Sequence, residues 1–67
     1  MKCRFHLVPG DDRLEYTGKE GTTYEEALLS LGINPDTVLI LHEGRSLPQD
    51  ACIREDEAVV ISTCSRG

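Results

Sequence analysis

Thr23-Tyr24-Glu25-Glu26-Ala27-Leu28-Leu29-Ser30-Leu31-Gly32 is the stretch on which the fold turns. Thr23 followed by Glu26 is a capping box: the threonine hydroxyl and the glutamate carboxylate satisfy amides left without partners at a helix start. Tyr24, Ala27, Leu28 and Leu31 then recur at i, i+3, i+4 and i+7, a continuous apolar stripe. Glu25 and Glu26 occupy the first turn, where the helix dipole favours negative charge. Gly32 is the left-handed stop, and Ile33 folds back as its apolar contact. The helix so predicted has about nine residues and a length of roughly 14 Å. Alone in water it would be marginal, so its stripe must lie on a sheet.

The flanks supply that sheet. Upstream, Lys2 to Val8 alternates, with Cys3, Phe5 and Leu7 on one face and Lys2, Arg4 and His6 on the other. Pro9-Gly10-Asp11-Asp12 is a turn signal, and Arg13 to Thr17 alternates again, so the two segments read as a hairpin. Downstream, Asn34-Pro35-Asp36 breaks the chain, and Thr37 to His42 is a strand. Its run of four aliphatics implies burial on both faces or a partner on one. Glu43-Gly44 is a tight turn that returns through the short strand Arg45-Ser46-Leu47, which Pro48 ends. Gln49 to Glu57 reads as a loop with room for one helical turn, and Ala58 to Ser62 as the last strand. Strand, strand, helix, strand, short strand, strand makes a two-layer α+β domain, with one helix across one face of a mixed sheet of four to five strands.

Composition narrows the function. The chain has 67 residues, with 7 Lys+Arg against 12 Asp+Glu, a formal net charge of −5. Hydrophobic residues are 39% and charged residues 28%, which suits one small globular domain. A core this small leaves no room for a deep catalytic cleft, so an enzyme acting alone is not expected. The basic residues are scattered singly, which disfavours nucleic acid, and a partner protein with a basic face fits better. Val38-Leu39-Ile40-Leu41 and Ala58-Val59-Val60-Ile61 are the longest apolar runs, far short of the roughly 20 residues of a membrane span. The apolar start is too short for a signal peptide. A soluble protein in the cytoplasm, with no membrane contact, is the expectation.

The chemistry-bearing residues are sparse. Cys3, Cys52 and Cys64 form no C-x-x-C pair, and neither His6 nor His42 stands in a zinc-like spacing to them, so no metal site is expected. Cys3 should pack in its strand, and Cys64 is the thiol expected to be accessible. No phosphate loop or helical metal motif is present. His6 and His42 read as plain sheet residues, Asp11-Asp12 as turn chemistry and Tyr24 as core. Glu55-Asp56-Glu57 is an acidic turn open to a basic partner. What remains is the terminal glycine. Its α-carboxylate is ionised at neutral pH, and a residue without a side chain passes a narrow channel at any backbone angle.

Thr23 to Leu29, then Asn34-Pro35-Asp36-Thr37-Val38-Leu39-Ile40-Leu41-His42-Glu43-Gly44-Arg45-Ser46-Leu47-Pro48, then Glu55 to Ile61 carry a resemblance that covers nearly the whole chain. It resembles the β-grasp, ubiquitin-like proteins, above all the small sulfur carriers of thiamin and molybdopterin biosynthesis and the archaeal small modifier proteins. Two departures stand out. The family ends in Gly-Gly where this chain has Ser65-Arg66-Gly67 after a tail one residue shorter. Its acidic turn also has Glu55-Asp56-Glu57 where the family carries a glycine.

The resemblance implies a sheet whose first and last strands lie adjacent and parallel at its centre. Phe5, Leu7, Val59 and Ile61 would then meet the helix stripe. Val60 would point to the opposite face and join part of the Val38–Leu41 run in an apolar partner patch. The closing segment has no apolar periodicity, so a domain over residues 1–63 and a flexible tail over 64–67 are expected. A ubiquitin-activating-type adenylating enzyme would bind the sheet face and the acidic turn Glu55, Asp56 and Glu57. Tail residues Cys64, Ser65 and Arg66 would enter that partner, the stretch from Cys64 to Gly67 reaching about 13 Å when extended. The Gly67 carboxylate would attack ATP bound by the partner, this chain binding no cofactor itself. The adenylate would become a thiocarboxylate for a sulfur-accepting synthase, serving thiazole, molybdopterin or tRNA thiolation, or an isopeptide on target-protein lysines. The chain would be a carrier or cosubstrate, not an enzyme. The alternative, which Arg66 beside a lone glycine favours, is a non-covalent interaction module without activation. A ferredoxin-like electron carrier fails for want of four clustered cysteines.

Overall fold

In the computed structural model, which describes residues 1–63, helix α1 spans Tyr24–Ser30, two residues fewer than the periodicity suggests. Both halves of the capping box are made: the Glu26 amide donates to Thr23 Oγ1 at 3.2 Å and the Thr23 amide to Glu26 Oε1 at 3.1 Å. The next free amides, of Tyr24 and Glu25, donate to the carbonyls of Ala51 and Gln49, so the loop before the last strand caps the helix too. At the other end the Gly32 amide donates to the Leu29 carbonyl and the Ile33 amide to the Leu28 carbonyl, with Gly32 at φ +82°. That paired return closes the helix at Leu31.

Five strands form one sheet: β1 (Lys2–Val8), β2 (Asp12–Thr17), β3 (Val38–His42), β4 (Arg45–Leu47) and β5 (Glu57–Ser62). Their order across the sheet is β2-β1-β5-β3-β4. β1 and β5 pair in parallel and every other pair is antiparallel, so the first and last strands do meet side by side within the sheet. The β3–β4 turn puts Glu43 at φ +53° and Gly44 at φ +80°. Two successive positive values make the hairpin turn whose twist matches the strands, and glycine takes the second without strain. Two local readings shift. Asn34-Pro35-Asp36, read only as a break, leads into a 3₁₀ turn over Pro35–Thr37. The loop from Gln49 to Glu57 carries no helical turn, making instead an isolated bridge between Cys52 and Thr23.

The core lies between α1 and one face of the sheet. It comprises Cys3, Phe5, Tyr24, Ala27, Leu28, Val38, Ile40, Ala58 and Val60, with Leu7, Leu31 and Ile33 packed at its margin. The Phe5 and Tyr24 rings meet edge to face, 6.4 Å between centroids and 68° apart in plane. β5 departs from the expected phase. Ala58 and Val60 point into the core and Val59 and Ile61 away from it, the reverse of what the resemblance implies. The register supplies the reason. Phe5 stands opposite Ala58, the smallest side chain on β5, so the ring has space there to reach Tyr24. All four residues from Ala58 to Ile61 are apolar, so alternation alone cannot choose the face, and a slip of one flips them all.

Cys3 is fully buried, as expected, and burial, aided by the charges of Asp56, Glu55 and Glu57, pushes its thiol up to about 11. Cys52 is exposed, which corrects the expectation that only the tail cysteine is accessible. A Cys52→Ser, Cys64→Ser chain is expected to resist a maleimide in native buffer and to take up one equivalent in denaturant, read by intact mass. Native labelling at the denatured rate would place Cys3 outside the core.

Candidate functional site

The uncovered face of the sheet is built by the side chains that alternate with the core set, and beyond the marginal pair Lys2 and Thr17 strand register orders them in three rows. Arg4 lies between Glu15 and Glu57. Next, Arg13, His6, Val59, Leu41 and Ser46 run across all five strands. Last come Val8, Ile61 and Leu39. The first row is charge-compensated, the second passes from basic to aliphatic, and the third is wholly aliphatic. Leu39 is 50% exposed, and Val8, Leu41, Val59 and Ile61 are each partly covered by their neighbours. Together the five form a continuous aliphatic patch. One seven-residue helix covers one face only, so among the described residues nothing covers the second apolar face of β3 and β5.

Val60, placed in the partner patch by the sequence reading, is not part of it. It is 2% exposed and stands between Leu7 and Ile40 in the core. The patch is real but belongs to the neighbours of Val60 on β5 and to Leu39 and Leu41 of the β3 run. The signal that could have found it is the small size of Ala58, which marks the position facing an aromatic ring.

The acidic turn is held rather than loose. The Asp56 carbonyl accepts from the Arg4 amide at 2.8 Å. His42 sets Nδ1 3.0 Å from the Glu57 carbonyl oxygen and Nε2 3.2 Å from Glu55 Oε1, with Glu43 Oε2 at 3.8 Å. His6 holds the β1–β2 turn through Nε2, 3.1 Å from Asp11 Oδ1. Both histidines are therefore sheet residues that tie down a neighbouring turn.

Glu55, Asp56 and Glu57 sit at the beginning of β5, whereas the chain leaves the sheet at its end, after Ser62. The two ends are about 17 Å apart at roughly 3.3 Å per residue. The aliphatic row Val8, Ile61 and Leu39 lies at the leaving end. Cys64, Ser65, Arg66 and Gly67 lie outside the described residues. The aliphatic row therefore stands nearest the point where the chain leaves the sheet, and the acidic turn farthest from it.

A mixed five-strand sheet in this order, with parallel central strands and a single helix, is the β-grasp architecture. The family model described as small archaeal modifier protein 2 matches residues 1–62. This chain belongs to that family. It is a ubiquitin-like small modifier, a class of carrier proteins rather than catalysts. An uncharacterized protein of Archaeoglobus fulgidus is similar as well, 33% identical over 67 residues that span the whole of both chains. The match to the small-modifier family takes in the capping box, the Asn34–Pro48 stretch and both acid-turn and β5 segments on which the resemblance rests. Among the described residues no helix is long and apolar enough to cross a membrane.

Proposed function

We propose that the chain is a modifier and sulfur carrier whose reacting group is the Gly67 carboxylate, energised by a ubiquitin-activating-type adenylating enzyme in the cytoplasm. One observation supports this reading: the aliphatic row Val8, Ile61 and Leu39 stands beside the end of β5, so the proposed docking surface lies where the chain leaves the sheet. The partner covers the uncovered face, with Glu55, Asp56 and Glu57 as its far, charged margin, and receives Cys64, Ser65 and Arg66 ahead of the glycine. A carboxylate oxygen attacks the α-phosphorus of ATP bound by the partner. The bond to the β-phosphate breaks, pyrophosphate leaves, and the terminus becomes an acyl-adenylate.

That intermediate has two outlets. A lysine ε-amine attacks the acyl carbon, loses a proton and expels AMP, leaving an isopeptide bond on a target protein. Alternatively a persulfide sulfur attacks the same carbon and expels AMP, giving an acyl disulfide. A second thiol then attacks the sulfur carried by the donor protein, which is oxidised to a disulfide as the terminus departs as a thiocarboxylate. A synthase for thiazole, molybdopterin or thiolated tRNA would accept that sulfur. Incubation of the chain with the activator of its source organism, ATP and a persulfide donor is expected to give oxygen-to-sulfur exchange at the C-terminal carboxyl by intact mass. Omitting the donor and adding cell extract is expected to give higher-mass adducts linked through Gly67. A chain that binds the activator but undergoes neither change is a non-covalent module, and the proposal fails.

A further inference from the structure

Asn34-Pro35-Asp36-Thr37 is prominent in the sequence, yet neither the core nor the aliphatic patch uses its polar groups. They are spent on one another. The Asp36 amide donates to Asn34 Oδ1 at 3.0 Å, and the Thr37 amide and Oγ1 both donate to the Asn34 carbonyl, at 3.1 and 2.8 Å. Gln49 Nε2 donates to the Pro35 carbonyl, holding the turn from the other side. The outcome is a 3₁₀ turn, Pro35–Thr37, whose last carbonyl is bonded from outside the turn.

That carbonyl accepts two hydrogen bonds from one residue. The Thr63 amide donates to the Thr37 oxygen at 2.8 Å and Thr63 Oγ1 donates to the same oxygen at 3.1 Å. Thr63 lies one residue past the end of β5, whose last ladder pair is Ser62 with Val38. The sheet does not need the hydroxyl bond, and it is exposed to water, where such a bond adds little to stability. What the pair does is fix the backbone at the root of the terminus.

We propose that Thr63, latched to the Asn34–Thr37 turn, is a positioning residue: it sets the direction in which the reactive terminus leaves the domain. The inference rests on the reading of Gly67 as the activated group. A latched Thr63 removes its own residue from the length the partner must orient, whereas a free one adds about 3.3 Å of slack to every approach. Orientation of that kind acts on the reacting complex rather than on docking, because the patch lies on other residues.

The test is pyrophosphate exchange into ATP by the source organism's adenylating enzyme, with the full chain as substrate. Thr63→Ser keeps both donors, Thr63→Val loses the hydroxyl, and Thr63→Pro loses hydroxyl and amide. The expected series is wild-type kcat for the serine variant, a fall of about threefold for valine and of about tenfold for proline, the sizes of one and two hydrogen bonds. KM for the chain should stay constant across the series, and melting temperatures should stay within about 5 °C. Asn34→Ala, which touches nothing at residue 63, should lower kcat in the same sense by slackening the acceptor. Wild-type kcat in the valine and proline variants would overturn the latch alone. So would losses that appear only in KM or track the melting temperature. No exchange with the unaltered chain would overturn the activation reading, and the latch with it.

Discussion

Val60→Asp is expected to leave the chain without a cooperative fold at room temperature, while Leu39→Asp melts as a native domain. Val60 is 2% exposed and its register partners are Leu7 and Ile40, so a carboxylate there has no cation and no water. Burying an unpaired charge costs several kcal/mol even after relaxation. A chain of this length has roughly 3 to 10 kcal/mol of stability in total, at about 0.05 to 0.15 per residue. The penalty is therefore of the same size as the whole. Leu39, at 50% exposure, gives up only part of its contact with Leu41 and Ile61 and a fraction of strand propensity, about 1 kcal/mol. Far-UV circular dichroism and thermal melting decide it. Native melting of the Val60 variant beside an unfolded Leu39 variant would mean that β3 and β5 each present the other face.

That contrast marks where the sequence was legible and where it was not. The helix was legible because every signal agreed: capping box, stripe, first-turn acids and Gly32 all describe one element, and each recurs in the structure. β1 was legible because Lys2, Arg4 and His6 alternate with Cys3, Phe5 and Leu7, so polarity itself chose the face. β5 offers no such choice. Val59 and Ile61 are bulkier together than Ala58 and Val60, and summed hydrophobicity favours the wrong pair. What selects the other pair is long-range: Phe5 needs a small neighbour, and Ala58 is the neighbour it has. Of the site, the apolar surplus on β3 was legible and its exact membership was not, since membership follows from the phase of β5. The Asn34–Thr37 turn was legible as a break, but its use as an anchor depends on Thr63, 26 residues further along.

Charge and shape also divide the molecule more finely than the net −5 suggests. Glu25 and Glu26 are exposed on the helix side, whereas the uncovered sheet face carries Lys2, Arg4 and Arg13 against Glu15 and Glu57 and is slightly basic. A basic partner surface is thus drawn to the molecule as a whole, and increases its rate of encounter. It gains little at the patch itself. Under the proposed docking, contact there would depend on aliphatic complementarity, with the acidic turn at the far end of β5 adding orientation.

If the aliphatic patch is the docking surface, Leu39→Asp retains the fold and loses activation, and a matched control exists on the same chain. Leu29 is 57% exposed on the outer surface of α1 and Leu39 is 50% exposed on the sheet, so the two leucines differ in place rather than in burial. Aspartate at either position costs similarly little in stability. At the centre of an interface, however, an aspartate is driven against apolar partner groups and loses its water, and central anchors are worth about 2 kcal/mol or more. That corresponds to roughly 30-fold or greater loss of affinity. The expected result is therefore near-wild-type adenylation for Leu29→Asp and a fall of at least about 30-fold in kcat/KM for Leu39→Asp, carried by KM. The direction of the split matters, because substitutions at Thr63 are expected to act on kcat and leave KM alone. An inactive Leu29 variant beside an active Leu39 variant would move the docking surface to the helix side. Equal activity in both would leave the terminus to be recognised by itself, and the uncovered face of the sheet would have no part in activation.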